Sequence, residues 1–331
     1  MKLNAITSAW NRFFFEPVSP LPFAVFRILY GALVLVLLCL QLFPDREFWY
    51  GANGIGNPEL AVKYFWRQPI FDLLNLTGVG ADGLLLFFSV AILAALFVTI
   101  GLGTRYSAWV LFMCLISLQY HFPWNSNGGD CFVRIAALFL ACSQAGECLS
   151  VDRWWKQKYA PEKVVDKAWP WAQRLFQIQL GIVYWQTTAA KLSGDQWIDG
   201  TAIWYATRLD DLMRFQIPFL FDSLLMSKLF TWSTLVVEVS LWTLIWVKEC
   251  RYWVLLAGFF LHAGIDIFLS LPLFEWVFMA AYITFVEPED LQRAFLYSKN
   301  WLESKRNKMK SAHPPKSAPL AGADPPTEVA P

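Results

Sequence analysis

One lysine carries the most pointed chemistry in this chain. Lys191 lies in the stretch Thr188-Ala-Ala-Lys-Leu-Ser-Gly-Asp-Gln-Trp-Ile-Asp-Gly200. It follows about twenty mostly apolar residues, at the point where a helix spanning hydrocarbon should meet water. A lysine there is either an anchor that snorkels its ammonium to the headgroups or a reactive amine. The second role needs a neutral nitrogen. An ordinary lysine, with a pKa of about 10.4, is protonated at neutral pH, and desolvation among apolar walls is what disfavours the charged form.

Other polar residues sit where charge is expensive. Glu238 falls near the middle of an apolar run, and His262 and Asp266, four residues apart, share one helical face. All three should face a bundle interior and find partners there. His262 is expected to bond Glu238 or Asp266, and Arg27, Arg134 or Arg174 to neutralise one acid. Such residues serve either as a structural polar cluster or as one that positions a substrate. The loop before Cys131 holds Asn127-Gly128-Gly129-Asp130. Glycines paired between Asn and Asp permit left-handed or very close backbone, as a tight turn needs and as a ligand-binding loop needs. Arg134, one turn beyond Asp130, is placed to pair with it. Cys39, Cys114, Cys131, Cys142, Cys148 and Cys250 show no CxxC spacing and read as reduced packing residues, and no metal site is suggested.

The elements that position these groups follow from composition. Of 331 residues, 56% are hydrophobic, 17% aromatic and only 16% charged, with a formal net charge of +1. One soluble core cannot hide that surplus, so the fold class is an all-α, polytopic membrane helical bundle in contact with the lipid bilayer. Nothing in the pattern suggests a nucleic-acid partner. Apolar runs predict about eight spans, near 22–43, 82–101, a third after the Gly101–Arg105 turn ending near His121, 131–146, 171–190, 228–247, 252–271 and a short one ending near Val286. Interfacial amphipathic helices are expected on the outer face, over 58–76. Residues 1–290 make the transmembrane domain, and 291–331 a cytoplasmic, largely disordered tail rich in charge and then in Pro, Ala and Ser.

Lysine and arginine set the orientation. With the amino terminus inside, the inner segments hold Lys2, Arg12, Arg105, Lys248, Arg251, the tail and a basic loop with Arg153, Lys156, Lys158, Lys163 and Lys167. Fewer basic residues fall outside. Both termini are therefore expected in the cytoplasm, with Lys191 and the Asn-Gly-Gly-Asp loop on the outer face.

Several stretches together resemble the bacterial HTTM proteins, membrane relatives of the vitamin K-dependent gamma-glutamyl carboxylase. They are Pro20-Leu-Pro-Phe-Ala-Val-Phe-Arg27, Gly101-Leu-Gly-Thr-Arg105, Asn127-Gly-Gly-Asp130 with Arg134, Arg174-Leu-Phe-Gln-Ile-Gln179, and Ala190-Lys-Leu192 through Trp197-Ile-Asp-Gly200, with Glu238 and His262. The resemblance covers about residues 19 to 287. It implies that Lys191 corresponds to the lysine that deprotonates vitamin K hydroquinone. Asn127, Gly128, Gly129, Asp130, Arg134, Trp197, Glu238 and His262 of these stretches, with Asp266 on the helical face of His262, are the candidates for a substrate or cofactor pocket. The implied cofactor is a quinol, vitamin K hydroquinone-like or menaquinol-like, with O2 and CO2 as co-substrates and no metal.

The pattern also departs from the carboxylase. Ala190 stands where the carboxylase has a second lysine, and the large lumenal domain that grips its propeptide has no counterpart in these residues. The expected activity is accordingly quinol-coupled: epoxidation, modification of a peptide glutamate, or both. The alternative is a non-catalytic membrane partner in maturation or export of a secreted peptide or protein.

Overall fold

The computed structural model describes residues 2–56, 62–64, 72–215, 217–271 and 273–312. Two compact units are present, residues 1–288 and residues 289–331. The first unit is all helix, with no β-strand among the described residues. Its elements are α1 (Lys2–Phe15), α2 (Leu21–Val36, continued by a π-helical turn, Leu37–Leu42), α3 (Arg46–Tyr50), α4 (Leu73–Thr77), α5 (Ala81–Ile100), α6 (Thr104–His121), α7 (Gly128–Cys142), α8 (Val151–Tyr159), α9 (Trp171–Leu192), α10 (Asp195–Ile198), α11 (Ala202–Ala206), α12 (Leu224–Trp242), α13 (Lys248–Phe268) and α14 (Phe274–Tyr282). The second unit carries α15 (Pro288–Ala312). Of the tail expected to be largely disordered over 291–331, the part as far as Ala312 is helical in α15; the rest of it and most of the interfacial stretch expected over 58–76 lie outside the described residues.

Among the described residues four helices are long and apolar enough to cross a membrane: Leu21–Leu42, α5, α12 and α13. The other spans expected from the sequence are helical as well, but differ in length or polarity. Helix α7 has 15 residues, and α9 carries Gln173, Arg174, Gln177 and Gln179 along its 22. Such helices are held by their neighbours in the bundle more than by lipid.

The bundle closes on aromatic rings. Phe26 of α2 lies 4.6 Å from Phe176 of α9, Phe176 lies 5.5 Å from Phe132 of α7, and Phe132 stacks on Phe278 of α14 at 4.5 Å. All four rings are almost fully buried, and offset or tilted pairs of this kind add to the area they remove from water. Close helix approach is built in at Gly31, where an added Cβ would stand 2.8 Å from the Thr99 backbone nitrogen.

Arg27, a candidate to neutralise an acid, forms no ion pair among the described residues and does not reach solvent. It is fully buried, and its guanidinium donates to Val98 O (2.6 Å), Thr99 O (3.0 Å) and Leu149 O (2.6 Å). The unsatisfied carbonyls at the end of α5 are what it finds at that depth. The adjoining turn needs Gly101, whose φ is +74° and whose added Cβ would meet Arg27 Nη1 at 2.5 Å. Gly101→Ala is therefore expected to cost about 2–3 kcal/mol, from left-handed strain and the displaced guanidinium. A drop in melting temperature of the detergent-solubilised protein measures it.

Candidate functional site

Lys191 ends α9, and the chain turns at once. Gly194 N donates to Lys191 O at 3.0 Å, α10 follows, and Gly200, at φ +84°, redirects the chain along α12. Ser227 Oγ holds Gly200 O at 3.0 Å, and Trp232 Nε1 holds Ile198 O at 3.3 Å. This return sets the Trp197 ring 5.2 Å from Lys191 Nζ, in cation–π geometry. Nζ itself donates to Glu238 Oε1 at 2.6 Å. The lysine side chain is 23% exposed and the glutamate 9%, so the pair lies mostly inside the bundle. Thr187 and Thr188 approach the other carboxylate oxygen at 3.5 Å, the outer limit of a hydrogen bond.

One to two turns down α9, a second polar cluster is fully enclosed. Tyr184 Oη is 2.6 Å from His262 Nε2 and 2.7 Å from Tyr282 Oη, and His262 Nδ1 bonds Glu275, which has no exposed surface. His262 lies parallel to the Phe278 ring at 5.3 Å, joining this cluster to the aromatic core. His262 therefore bonds neither Glu238 nor Asp266. Glu275, one residue into α14, reaches it first, and Glu238 is taken by Lys191. Asp266 is part-exposed and forms no ion pair among the described residues. A four-membered buried network is costly to interrupt. Tyr184→Phe leaves His262 Nε2 and Tyr282 Oη each short of a partner and is expected to cost about 2 kcal/mol, read as a fall in thermal stability.

An apolar cavity of about 350 Å³ runs between α11, α12 and α13. Thr234 and Val237 on its wall lie within one turn of Glu238, and Leu261 and Ile265 flank His262 in sequence. The hydroxyls of Thr207, Ser233 and Thr234 on that wall donate to carbonyls of their own helices, so its lining is suited to hydrocarbon.

The HTTM domain family matches residues 15–289. This chain is an HTTM-domain protein. Part of the HTTM protein is also similar to the uncharacterised protein YitO of Bacillus subtilis (strain 168), 27% identical over 142 residues, which cover 40% of this chain and 45% of YitO. The chain thus matches less than half the length of that relative. No solved structure matches it.

The Asn-Gly-Gly-Asp loop of the HTTM protein has surroundings of its own. Asn127 Oδ1 accepts from Gly129 N (2.7 Å) and Asp130 N (3.2 Å), and Asp130 Oδ2 accepts from Asn127 N (2.8 Å). This is a capping box, and Gly128 and Gly129 form the first turn of α7, outside the left-handed region expected for them. Arg134 does not pair with Asp130, whose carboxylate faces the backbone of Asn127; its guanidinium lies over the Tyr120 ring at 5.6 Å. Arg174 bonds Gln177 Oε1 at 3.0 Å and covers Phe13, and among the described residues none of the three arginines is ion-paired with an acid. Asn127 and Asp130 line a cavity of about 170 Å³ with Gln41, Tyr50 and Gln119, sharing no residue with the Lys191 cluster.

The structure therefore brings Lys191, Trp197 and Glu238 together and leaves His262, Asp266, Arg134 and the Asn127–Asp130 turn in other surroundings. Glu275, Tyr184 and Tyr282 are additions. A glutamate inside the apolar run 271–286 is itself a signal, because an intramembrane acid requires a partner. Among the described residues no group of three or more His, Cys, Asp and Glu side chains forms a metal site.

Proposed function

We propose that this HTTM protein carries out carboxylase-like, quinol-coupled chemistry at the outer face of a bacterial inner membrane, with Lys191 as the base. The observation that carries the reading is the Lys191 amine at the end of α9, 2.6 Å from Glu238 and under the Trp197 ring. Removing a phenolic proton requires a free amine lone pair, and Glu238 is the group placed to take the proton that Nζ must shed. Trp197 limits access of water from one side. The apolar cavity between α11, α12 and α13, whose wall includes Thr234 and Val237 on the helix that carries Glu238, is a place for the hydrocarbon part of a lipid-soluble quinol.

A vitamin K hydroquinone-like or menaquinol-like quinol would supply, on oxidation by O2, the strong base for epoxide-coupled proton removal, with a glutamate side chain of a secreted peptide as the group to be modified and CO2 as co-substrate where that modification is a carboxylation. In this reading the bundle crosses the membrane about eight times with both termini cytoplasmic. The helices too short or polar to qualify alone would be carried by α2, α5, α12 and α13.

The test is quinol epoxidation by the full chain in liposomes. Lys191→Ala is expected to lower turnover about 10²–10⁴-fold, the usual loss for a general base. Absence of epoxidation in the parent protein, or equal turnover in the variant, overturns the proposal. In that event the non-catalytic reading predicts co-purification of a secreted peptide.

A further inference from the structure

The Gly101 to Arg105 turn and the basic loop after α7 form one built surface that plays no part in chemistry at Lys191. The turn is held from below by Arg27, which bonds carbonyls of both α5 and the loop, at Leu149. It is held from the side by Asp152, whose carboxylate accepts from Gly103 N (2.8 Å), Thr104 N (2.9 Å) and Thr104 Oγ1 (2.9 Å). Asp152 thereby caps α6 from a different element, and its charge is spent on the amides of that helix end.

Two other acids of the loop are held in ion pairs. Glu147 holds Lys156 Nζ at 2.5 Å, and Asp166 holds Arg153 at 2.7 Å. Arg105, Lys158, Lys163 and Lys167 stay exposed without an ion pair among the described residues, against a single exposed, unpaired acid, Glu162. The local excess of positive charge thus faces outward.

Beside it lies an open groove of about 700 Å³, lined among others by Arg105, Tyr106, Gln144, Trp155 and Lys156. Trp155 packs against Tyr159 at 4.7 Å, and Lys158 covers both Trp154 and Tyr159. The Tyr106 ring is 79% exposed and that of Trp155 57%. Water is a poor environment for so many rings. The boundary of a bilayer suits them, because it presents apolar chains and polar headgroups at once. The groove opens at the end of α5, a helix fit to cross that bilayer.

We propose that this groove is a binding site for an anionic glycerophospholipid, with Arg105 on the lipid phosphate and Tyr106 and Trp155 against the glycerol and upper acyl chains. Unpaired cations near a membrane surface attract anionic headgroups, and a guanidinium matches phosphate with paired donors. The interlock of Arg27, Gly101 and Asp152 fixes the turn before the lipid arrives, so little ordering is left to the binding step. This site is independent of the reaction at Lys191 and stands or falls separately from it.

The full chain in nanodiscs of phosphatidylcholine mixed with phosphatidylglycerol, released into native mass spectrometry, is the direct test. Phosphatidylglycerol is expected to be retained in preference to phosphatidylcholine. Arg105→Gln should lower that retention about fivefold, and Arg105→Lys should lower it less. Trp155→Ala, which removes a ring without touching charge, should weaken retention of both lipids. Arg105 lies outside the turn's hydrogen-bond network, so its variants keep the fold. Equal retention of the two lipids, or unchanged retention in Arg105→Gln, overturns the site. Displacement of the lipid by excess inorganic phosphate at constant ionic strength also overturns it, since that identifies a site for free anions.

Discussion

Replacing Lys191 with methionine and Glu238 with leucine together is expected to give a protein nearly as stable as the parent but without quinol chemistry. Each single replacement should be less stable than the double. Glu238 is only 9% exposed and its close cationic partner is Lys191 Nζ at 2.6 Å, so Lys191→Met strands a carboxylate in the bundle. Breaking a buried pair from one side costs about 3–5 kcal/mol, and the partial exposure of this lysine brings the figure to about 2–3 kcal/mol. Taking both members away removes the stranded charge and fills the space with apolar volume, which is often neutral. A double-mutant cycle on thermal stability, run alongside epoxidation, therefore separates two roles. A purely structural pair recovers everything in the double variant. A pair that moves a proton recovers stability while turnover stays about 10²-fold or more below the parent. Lys191→Arg sharpens the contrast, because guanidinium preserves the charge pairing and is not deprotonated in proteins.

The long apolar runs made most helices legible. The spans expected over 22–43 and 82–101 appear as Leu21–Leu42 and Ala81–Ile100, because some twenty apolar residues between turn signals admit little else. The span expected over 171–190 is helical in α9, but four glutamine and arginine side chains in its first nine residues leave it outside the helices apolar enough to cross a membrane alone. Within the site, Lys191 and Glu238 were each conspicuous as charges in apolar surroundings, but their pairing joins residues 47 apart on two helices. No spacing rule reaches that far. The partner of His262 was misjudged because Asp266 stood four residues away on the same helix, whereas Glu275 belongs to the next one. The Asn-Gly-Gly-Asp stretch was readable in another sense. An Asn followed three residues later by an acid is the pattern of a capping box, and that local pattern outweighed the freedom of its glycines.

Arg27 carries the second large prediction, and it concerns assembly. Its guanidinium donates to two carbonyls at the end of α5 and to Leu149 O in the loop that leads into α8, residues 71, 72 and 122 positions away. Few single side chains tie three segments at a point with no solvent access. Arg27→Met keeps the apolar stem and removes three charge-assisted bonds, leaving buried carbonyls unsatisfied, at a cost on the order of 5 kcal/mol. Against a typical margin of about 5–15 kcal/mol, that loss should sharply lower the yield of monodisperse protein in size-exclusion chromatography. Arg27→Lys is expected to recover little of it. An ammonium presents one compact point of charge and cannot span carbonyls on two elements as a planar fork does. If Arg27→Lys instead matches the parent in melting temperature, the positive charge rather than the geometry of the fork is what stabilises this junction. In that case Gly101→Ala should cost only the left-handed strain at φ +74°, about 1–2 kcal/mol, without the part due to the displaced guanidinium.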